Sequence, residues 1–472
     1  MRPLSLITAL SIVLATVGCS AGGGQPAPSS APPPPGPAPA APPPVPGQAT
    51  PAAVEFRNVR IFDGHGDKLS APSNVLVKGN RIEKISTEAL PTESGSDTTV
   101  IDGGGRTLMP GLIDDHWHTM FVRPSPAQAM ASGVGYVNLV AGAEAHDTLM
   151  RGFTTVRDLG GPSFDLKRAI DAGVIDGPRI FPSGAMITVT SGHGDFRTPA
   201  DLPRNPGSLS HQEMVGASAV ADSPDEVRLR TREQLFQGAS QIKLTAGGGV
   251  SSPNSPLDVI TFTEPELRAA VEAATNWGTY VTVHAYTPAT IQQAIAAGVT
   301  CIEHGHLMDD ATAKQMADKG IWLSTQPIPP EMIGAFPPGS EEADKAKEIV
   351  AGVDNVYKLA RKYHLKTAFG TDILFSPQLA PKQGALLAGL GKWFSPAEVL
   401  TMATGTNADL LAMSGKRSPY TGKLGVVEQG ALADLLLVDG DPLSNLQLVA
   451  DPGSNFKIIM KDGKIYKNSL AS

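Results

Sequence analysis

Cysteine is nearly missing from this chain of 472 residues: only Cys19 and Cys301 are present. That excludes a disulfide framework, the more so because Cys19 lies in an export segment. Clustered basic charge is missing too. Acidic residues outnumber basic ones 46 to 38, for a formal charge of −8, and no Lys/Arg block occurs. Nucleic acid is therefore excluded as a partner, since phosphate binding needs a concentrated cationic surface. Nor does the N-terminal apolar run, residues 4–17, reach the length needed to span a bilayer.

What that run does offer is a secretory signal: Arg2 precedes it and Gly18-Cys19 follows. The ending Thr16-Val17-Gly18-Cys19 resembles a bacterial lipobox, so Cys19 is expected to carry a lipid anchor. The expected location is the bacterial cell envelope, periplasmic or membrane-anchored. Residues 20–52 form an Ala/Pro/Gly tract that cannot bury a core and favours extended polyproline II, hence a tether. The folded part starts at about residue 53.

From there the pattern divides in two. Short β-rich pieces at 54–61, 74–77, 81–85 and 99–102 are separated by turn residues, and the same texture returns at 434–438 and 457–465. Both ends are expected to build one small β-sandwich, residues 53–107 with 420–470. Between them, residues 108–419 alternate apolar strand-like runs with helical stretches. Strands are expected near 107–116, 153–158, 178–183, 240–245, 279–284, 299–304, 321–326 and 366–371. Helices are expected at 264–277, 287–297, 310–319 and 340–363, with Thr263 and Asp310 as N-caps and Gly278, Gly298 and Gly320 as stops. Eight strands with crossover helices define an α/β class, a (β/α)8 TIM-like barrel, whose chemistry sits at the C-terminal strand ends.

The chemistry-bearing residues fall at such ends. His116 and His118, spaced i and i+2, share one side of a strand and can reach one metal together. Lys243, His284, His304 and Asp372 close later apolar runs. His116 and His118 with Asp372 could hold one ion, and His284 with His304 a second. Two cations need an anionic bridge, and the fourth strand offers Lys243. An ammonium has no lone pair, but a lysine that has taken up carbon dioxide is a carbamate with two oxygens.

The set His116-Trp117-His118, Lys243, His284, His304 and Asp372 resembles the amidohydrolase superfamily with a carboxylated lysine and a binuclear centre. Gly422-Lys423-Leu424-Gly425 and residues 430–438 extend the resemblance to the terminal segments. Residues 154–158, 191–195, Gly247-Gly248-Gly249 and 302–305 are similar to the imidazolonepropionase-like branch, which includes Xaa-Pro dipeptidases and carboxypeptidase-type enzymes. The resemblance implies two divalent ions, zinc first, with manganese, cobalt and iron suited to the same ligands, and carbon dioxide as a carbamate on Lys243. It implies hydrolysis, through a metal-bridged hydroxide, of an amide to a C-terminal amino acid, as in an Xaa-Pro dipeptide or N-acyl amino acid. The alternative on the same site is a lactonase or cyclic-amide hydrolase. Asp372 is expected to shuttle the proton, with His193 and Tyr286 as donors to the oxyanion. Five arginines of residues 188–237, Arg197, Arg204, Arg228, Arg230 and Arg232, are candidates to clamp a substrate carboxylate, and the stretch itself reads as a lid. The resemblance also implies that homo-oligomers are common.

Overall fold

The computed structural model describes residues 53–90, 98–205, 207–252 and 254–470. The export signal, the Cys19 lipobox and the Ala/Pro tether lie outside the described residues.

Both ends of the described chain meet in one eight-stranded sheet. The N-terminal side supplies Ala53–Ile61, Ser73–Lys78, Arg81–Ser86, Thr98–Asp102 and Thr107–Pro110. The C-terminal side supplies Leu435–Val438, Phe456–Lys461 and Lys464–Asn468. Ala53–Ile61 serves two parallel neighbours in turn: its first half pairs with Thr98–Asp102 and its last residues with Thr107–Pro110. The change of neighbour follows an irregularity between Phe56 and Val59, where Asn58 has φ 50°. Alternation then sorts the apolar residues. Leu435, Leu437, Ile458 and Met460 pack among themselves and with Val54 and Phe56. Leu436, Val438 and Ile459 point the other way, into the core under the parallel strands. The closing hairpin turns on Asp462-Gly463, both at positive φ, as a two-residue turn requires.

The run expected as one strand over 107–116 is two. Thr107–Pro110 belongs to the terminal sheet, Leu112–Trp117 to the parallel strands, and Gly111 makes the step between them. A Cβ at Gly111 would come within 2.1 Å of the Thr154 hydroxyl, so only glycine passes there.

The middle of the chain is an α/β fold whose strands pair in parallel. They form a seven-stranded sheet, in the order Ser218–Val220, Met186–Thr188, Ile242–Thr245, Val281–Ala285, Cys301–His304, Trp322–Thr325, Lys366–Phe369. A three-stranded sheet, Leu112–Trp117, Phe153–Asp158, Arg179–Pro182, stands beside it. The ladders thus fall in two sheets rather than one ring, an arrangement consistent with a TIM-like barrel. Side chains join the sheets at both seams. At one, the Asn407 amide donates to Ile113 O and Phe369 O, each at 2.8 Å, and a backbone bridge links Trp117 to Ile373. At the other, Gln241 Nε2 donates to Phe181 O and Ser183 Oγ, each at 2.9 Å.

Helices Glu264–Trp277, Pro288–Ala296, Asp310–Lys319 and Glu341–Lys362 cover the seven-stranded sheet. Thr263 caps with a reciprocal bond to Glu266, and Gly278 and Gly320 end their helices left-handed. One expectation is corrected. Asp309, not Asp310, is the N-cap, because its extended backbone lets its carboxylate accept Thr312 N–H, while Asp310 is already helical. The expected lid over 188–237 is half regular structure. It holds the Ser218–Val220 strand and the helix Pro224–Gln237, started by Ser223 as cap and Pro224 in the first turn.

Candidate metal centre

The parallel strands deliver all six expected ligand positions to one end. His116 lies in Leu112–Trp117 with His118 one residue past it, and His304 closes Cys301–His304. Lys243 lies in Ile242–Thr245, His284 in Val281–Ala285, and Asp372 three residues beyond Lys366–Phe369. The register explains why a long side chain stands on the fourth strand. Lys243 pairs with Thr282, two residues below His284, a setback of roughly 6.6 Å. A lysine stem covers that distance and an aspartate would not.

Two of the positions need an unusual backbone. Glu303 pairs with His284 and Ala285 with His304. Strict alternation would therefore turn His304 away from the side that holds Glu303 and His284. His304 instead has φ 76°, which brings its ring to a centroid distance of 4.3 Å from His284. Asp372 has φ 54°, and its N–H is held by His116 O at 2.8 Å. Non-glycine residues at positive φ are strained and are found where the surroundings over-determine them. Gly370 permits the approach: a Cβ there would lie 2.5 Å from that of His116.

Each of the four histidines has one ring nitrogen against an oxygen. His116 Nδ1 meets Glu303 Oε2 at 2.8 Å and His118 Nδ1 meets Gly160 O at 3.3 Å. His284 Nε2 meets Gly248 O at 2.8 Å, and His304 Nδ1 meets Gln326 Oε1 at 2.7 Å. Donation of that N–H leaves the other nitrogen with its lone pair free, which is how metal-binding histidines are oriented. The Nε2 atoms of His116 and His118 both face Asp372 Oδ1, each at 3.2 Å. His116, His304 and Asp372 each place a ligand atom within 4.8 Å of the others, so they could hold a metal ion. Lys243 is buried, and no hydrogen bond or ion pair holds its amine among the described residues. Burial lowers its pKa, against the pull of Glu303 and Asp372. A buried amine without a partner suits carbamate formation, so this donor set fits the expected ions.

His193 and Tyr286 stand beside the histidines. The His193 ring is 4.2 Å from that of His284, and Tyr286 lies edge-on to His284 at 4.6 Å. Ser252 Oγ accepts Gly194 N–H at 2.8 Å and so is free to donate its own proton to His193 Nδ1, 2.9 Å away. The ring proton then sits on Nε2. Burial, aided by the Lys243 charge, pushes the His193 pKa down to about 3, so the ring stays neutral. A Cβ on Gly249 would collide with that ring at 2.1 Å. Burial raises the Tyr286 hydroxyl pKa and keeps it protonated.

Three groups escaped the sequence. Glu303 Oε1 receives Arg157 at 2.8 Å and the Thr282 hydroxyl, so a fully buried ion pair fixes the carboxylate that holds His116. Burial raises the Glu303 pKa, but Arg157 and His116 more than reverse this. Gln326 Oε1 orients His304 from the end of Trp322–Thr325, a strand with no candidate of its own. Ser252 had no motif. A signal existed only for Glu303, directly before His304. His306, also buried, has its Nε2 3.0 Å from Gln326 O. Four of the five candidate arginines have acidic partners: Arg197 pairs with Asp195, Arg204 with Glu226, Arg228 with Asp225, and Arg230 with Glu213 and Glu233. Arg232 is exposed on the helix Pro224–Gln237. These arginines neighbour acidic residues of their own segment, which reach them first.

The amidohydrolase family model matches residues 107–466. Ochratoxinase from Aspergillus niger is 30% identical over 380 residues, 76% of this chain and 75% of that protein. A prolidase solved in complex with N-methylphosphonate-L-proline superposes with a TM-score of 0.81 at 32% identity, over 88% of this chain and 100% of that one. An Xaa-Pro dipeptidase solved with methionine in its active site gives a TM-score of 0.75 at 28% identity, again over 88% and 100%.

Proposed function

The chain belongs to the amidohydrolase family and is an amide-hydrolysing enzyme, and from that premise we propose that its substrates are amides of a C-terminal amino acid, such as Xaa-Pro dipeptides and N-acyl amino acids. The observation that carries the metal part of this reading is the histidine quartet, each ring with one nitrogen on an oxygen acceptor. His116, His118 and Asp372 would hold one divalent ion and His284 and His304 a second, with Lys243 as a carbamate between them. Such ions, when bound, lower the pKa of water to about 7 and polarise a carbonyl.

The chain's own groups do the rest. Asp372 takes a proton at its carboxylate and returns it to the leaving nitrogen. The Tyr286 hydroxyl and the His193 Nε2–H donate to the carbonyl oxygen as it gains charge, and neither ionises near neutral pH. The ladders support reading the two parallel sheets as one (β/α)8 barrel, residues 108–419, beside a β-sandwich from 53–107 and 420–470. Export and a lipid on Cys19 complete the proposal; labelling with radioactive palmitate tests the anchor.

The test of function is release of amino acid from N-acyl amino acids and Xaa-Pro dipeptides by the zinc- or manganese-loaded chain. Release from either series sustains the reading. No release would overturn it and move the search to lactones and cyclic amides. Lys243→Ala should lose metal content and rate together. A fully active, metal-replete Lys243→Ala would remove the carbamate.

A further inference from the structure

Lys345 lies in the second turn of the helix Glu341–Lys362, and its side chain is only 8% exposed. Its ammonium donates to Ser252 O and Ser255 O, both at 3.3 Å. Its third partner is Glu341 Oε1, also at 3.3 Å, on a side chain 63% exposed. A cation buried this far is stable only with a well-held counter-charge. Here the anion is a solvent-facing glutamate at a long distance, and another carboxylate can replace it.

The helix brings this charge to the mouth of the site by two routes. Ser252, whose carbonyl holds Lys345, also holds His193 through its hydroxyl. One turn further, Ile349 packs with Leu257 and Tyr286, and Leu307 and Ile328 extend the cluster. One helix face thus sets a replaceable cation beside an apolar wall, and both adjoin residues of the candidate centre. In an N-acyl amino acid the carboxylate is separated from the scissile nitrogen by a single carbon. Its receptor must therefore stand next to the reacting groups, as Lys345 does through Ser252 and His193.

Resting on the function proposed above, we propose that Lys345 binds the free carboxylate of the leaving amino acid, and that the cluster around Ile349 receives an apolar side chain. Glu341 occupies the carboxylate position until substrate displaces it.

The experiment compares the full chain, zinc-loaded, with Lys345→Met, Lys345→Arg and Glu341→Gln. The probes are N-acetyl-phenylalanine and its carboxyl-amidated twin. Lys345→Met should raise KM for the acid at least tenfold more than for the amide, and Lys345→Arg should restore part of the difference. Glu341→Gln should lower KM for the acid a few-fold, because a competing carboxylate is gone. Equal losses on acid and amide in Lys345→Met would make Lys345 a fastening for the 252–255 loop and overturn the proposal. So would a wild-type enzyme that cleaves both probes with no preference for the acid, although amide hydrolysis would then stand. A wild type that cleaves neither N-acyl amino acids nor dipeptides would remove the functional reading and this inference with it.

Discussion

The sheet built from the two chain ends and the mouth of the parallel strands are both buried, but they are filled differently. Leu435–Val438 is apolar along its whole length, and alternation sends its residues to two hydrophobic cores. The mouth packs four histidines, a lysine and the Glu303 carboxylate with almost no water access, and leaves Asp372 22% exposed. It holds His304 and Asp372 in left-handed backbone, where the sheet uses Asp462-Gly463 in an ordinary turn. The sheet departs from local rules at Asn58, and the mouth does so at its central residues. Strain and buried charge at the mouth lower stability, and the apolar sheet and cores offset that cost.

Substitutions should separate the two regions by what they change. Asp372→Asn has the largest expected effect: a drop in kcat on the order of 10²–10⁴-fold with much of the metal retained, since a proton shuttle contributes about that much. Metal analysis beside turnover measures it, and wild-type kcat would take Asp372 out of the shuttle. Leu436→Ala should do the reverse. Its side chain is fully buried against the parallel strands, so the loss is about 2–5 kcal/mol of stability with kcat unchanged in the folded fraction. A Leu436→Ala enzyme that folds as well as wild type but turns over slowly would break the contrast.

Glu303→Gln tests the boundary between them. The amide still accepts from His116, but Arg157 loses its charged partner inside the fold. We expect roughly 10–100-fold weaker metal binding or activity, together with a lower Tm. Metal affinity unchanged beside a lower Tm would make Glu303 a stability residue only.

The same contrast explains how much could be read in advance. Most strand positions were legible because each run is short, apolar and closed by a polar residue, whereas Met186–Thr188 and Ser218–Val220 were missed as runs of only three residues. Helix ends were legible where glycine follows, as at Gly278 and Gly320. The candidate site residues were legible because His-x-His and the strand ends carry rare side chains. Spacing could not reveal that His304 reaches the site through φ 76° against its parity, nor that Gln326 and Ser252 orient their histidines from distant segments. Partner choice was equally hidden. An arginine beside Asp195 and one facing a substrate look alike in sequence, and only the fold joins Arg197 to Asp195.

The smallest effect belongs to the sheet. Asp462, in the closing hairpin, accepts from Arg179 at 2.7 Å and from Asn80 at 3.0 Å. Burial raises its pKa, and Arg179 more than reverses that, so the folded value lies below the ordinary one. A depressed carboxyl contributes stability above its unfolded pKa of about 3.9 and loses it as pH falls through the folded value. Asp462→Asn keeps a residue that tolerates left-handed backbone, and Arg179 keeps Asp434. Because Asp462 is 43% exposed, the cost at pH 7 should be under about 1 kcal/mol, read as a shift in urea midpoint. That shift should begin to close as the pH falls below about 4, where the unfolded carboxyl takes up its proton first. A gap that does not narrow at all on acidification would mean the hairpin depends on the shape of Asp462 rather than its charge, so that the sheet has fitted contacts of the kind the mouth relies on.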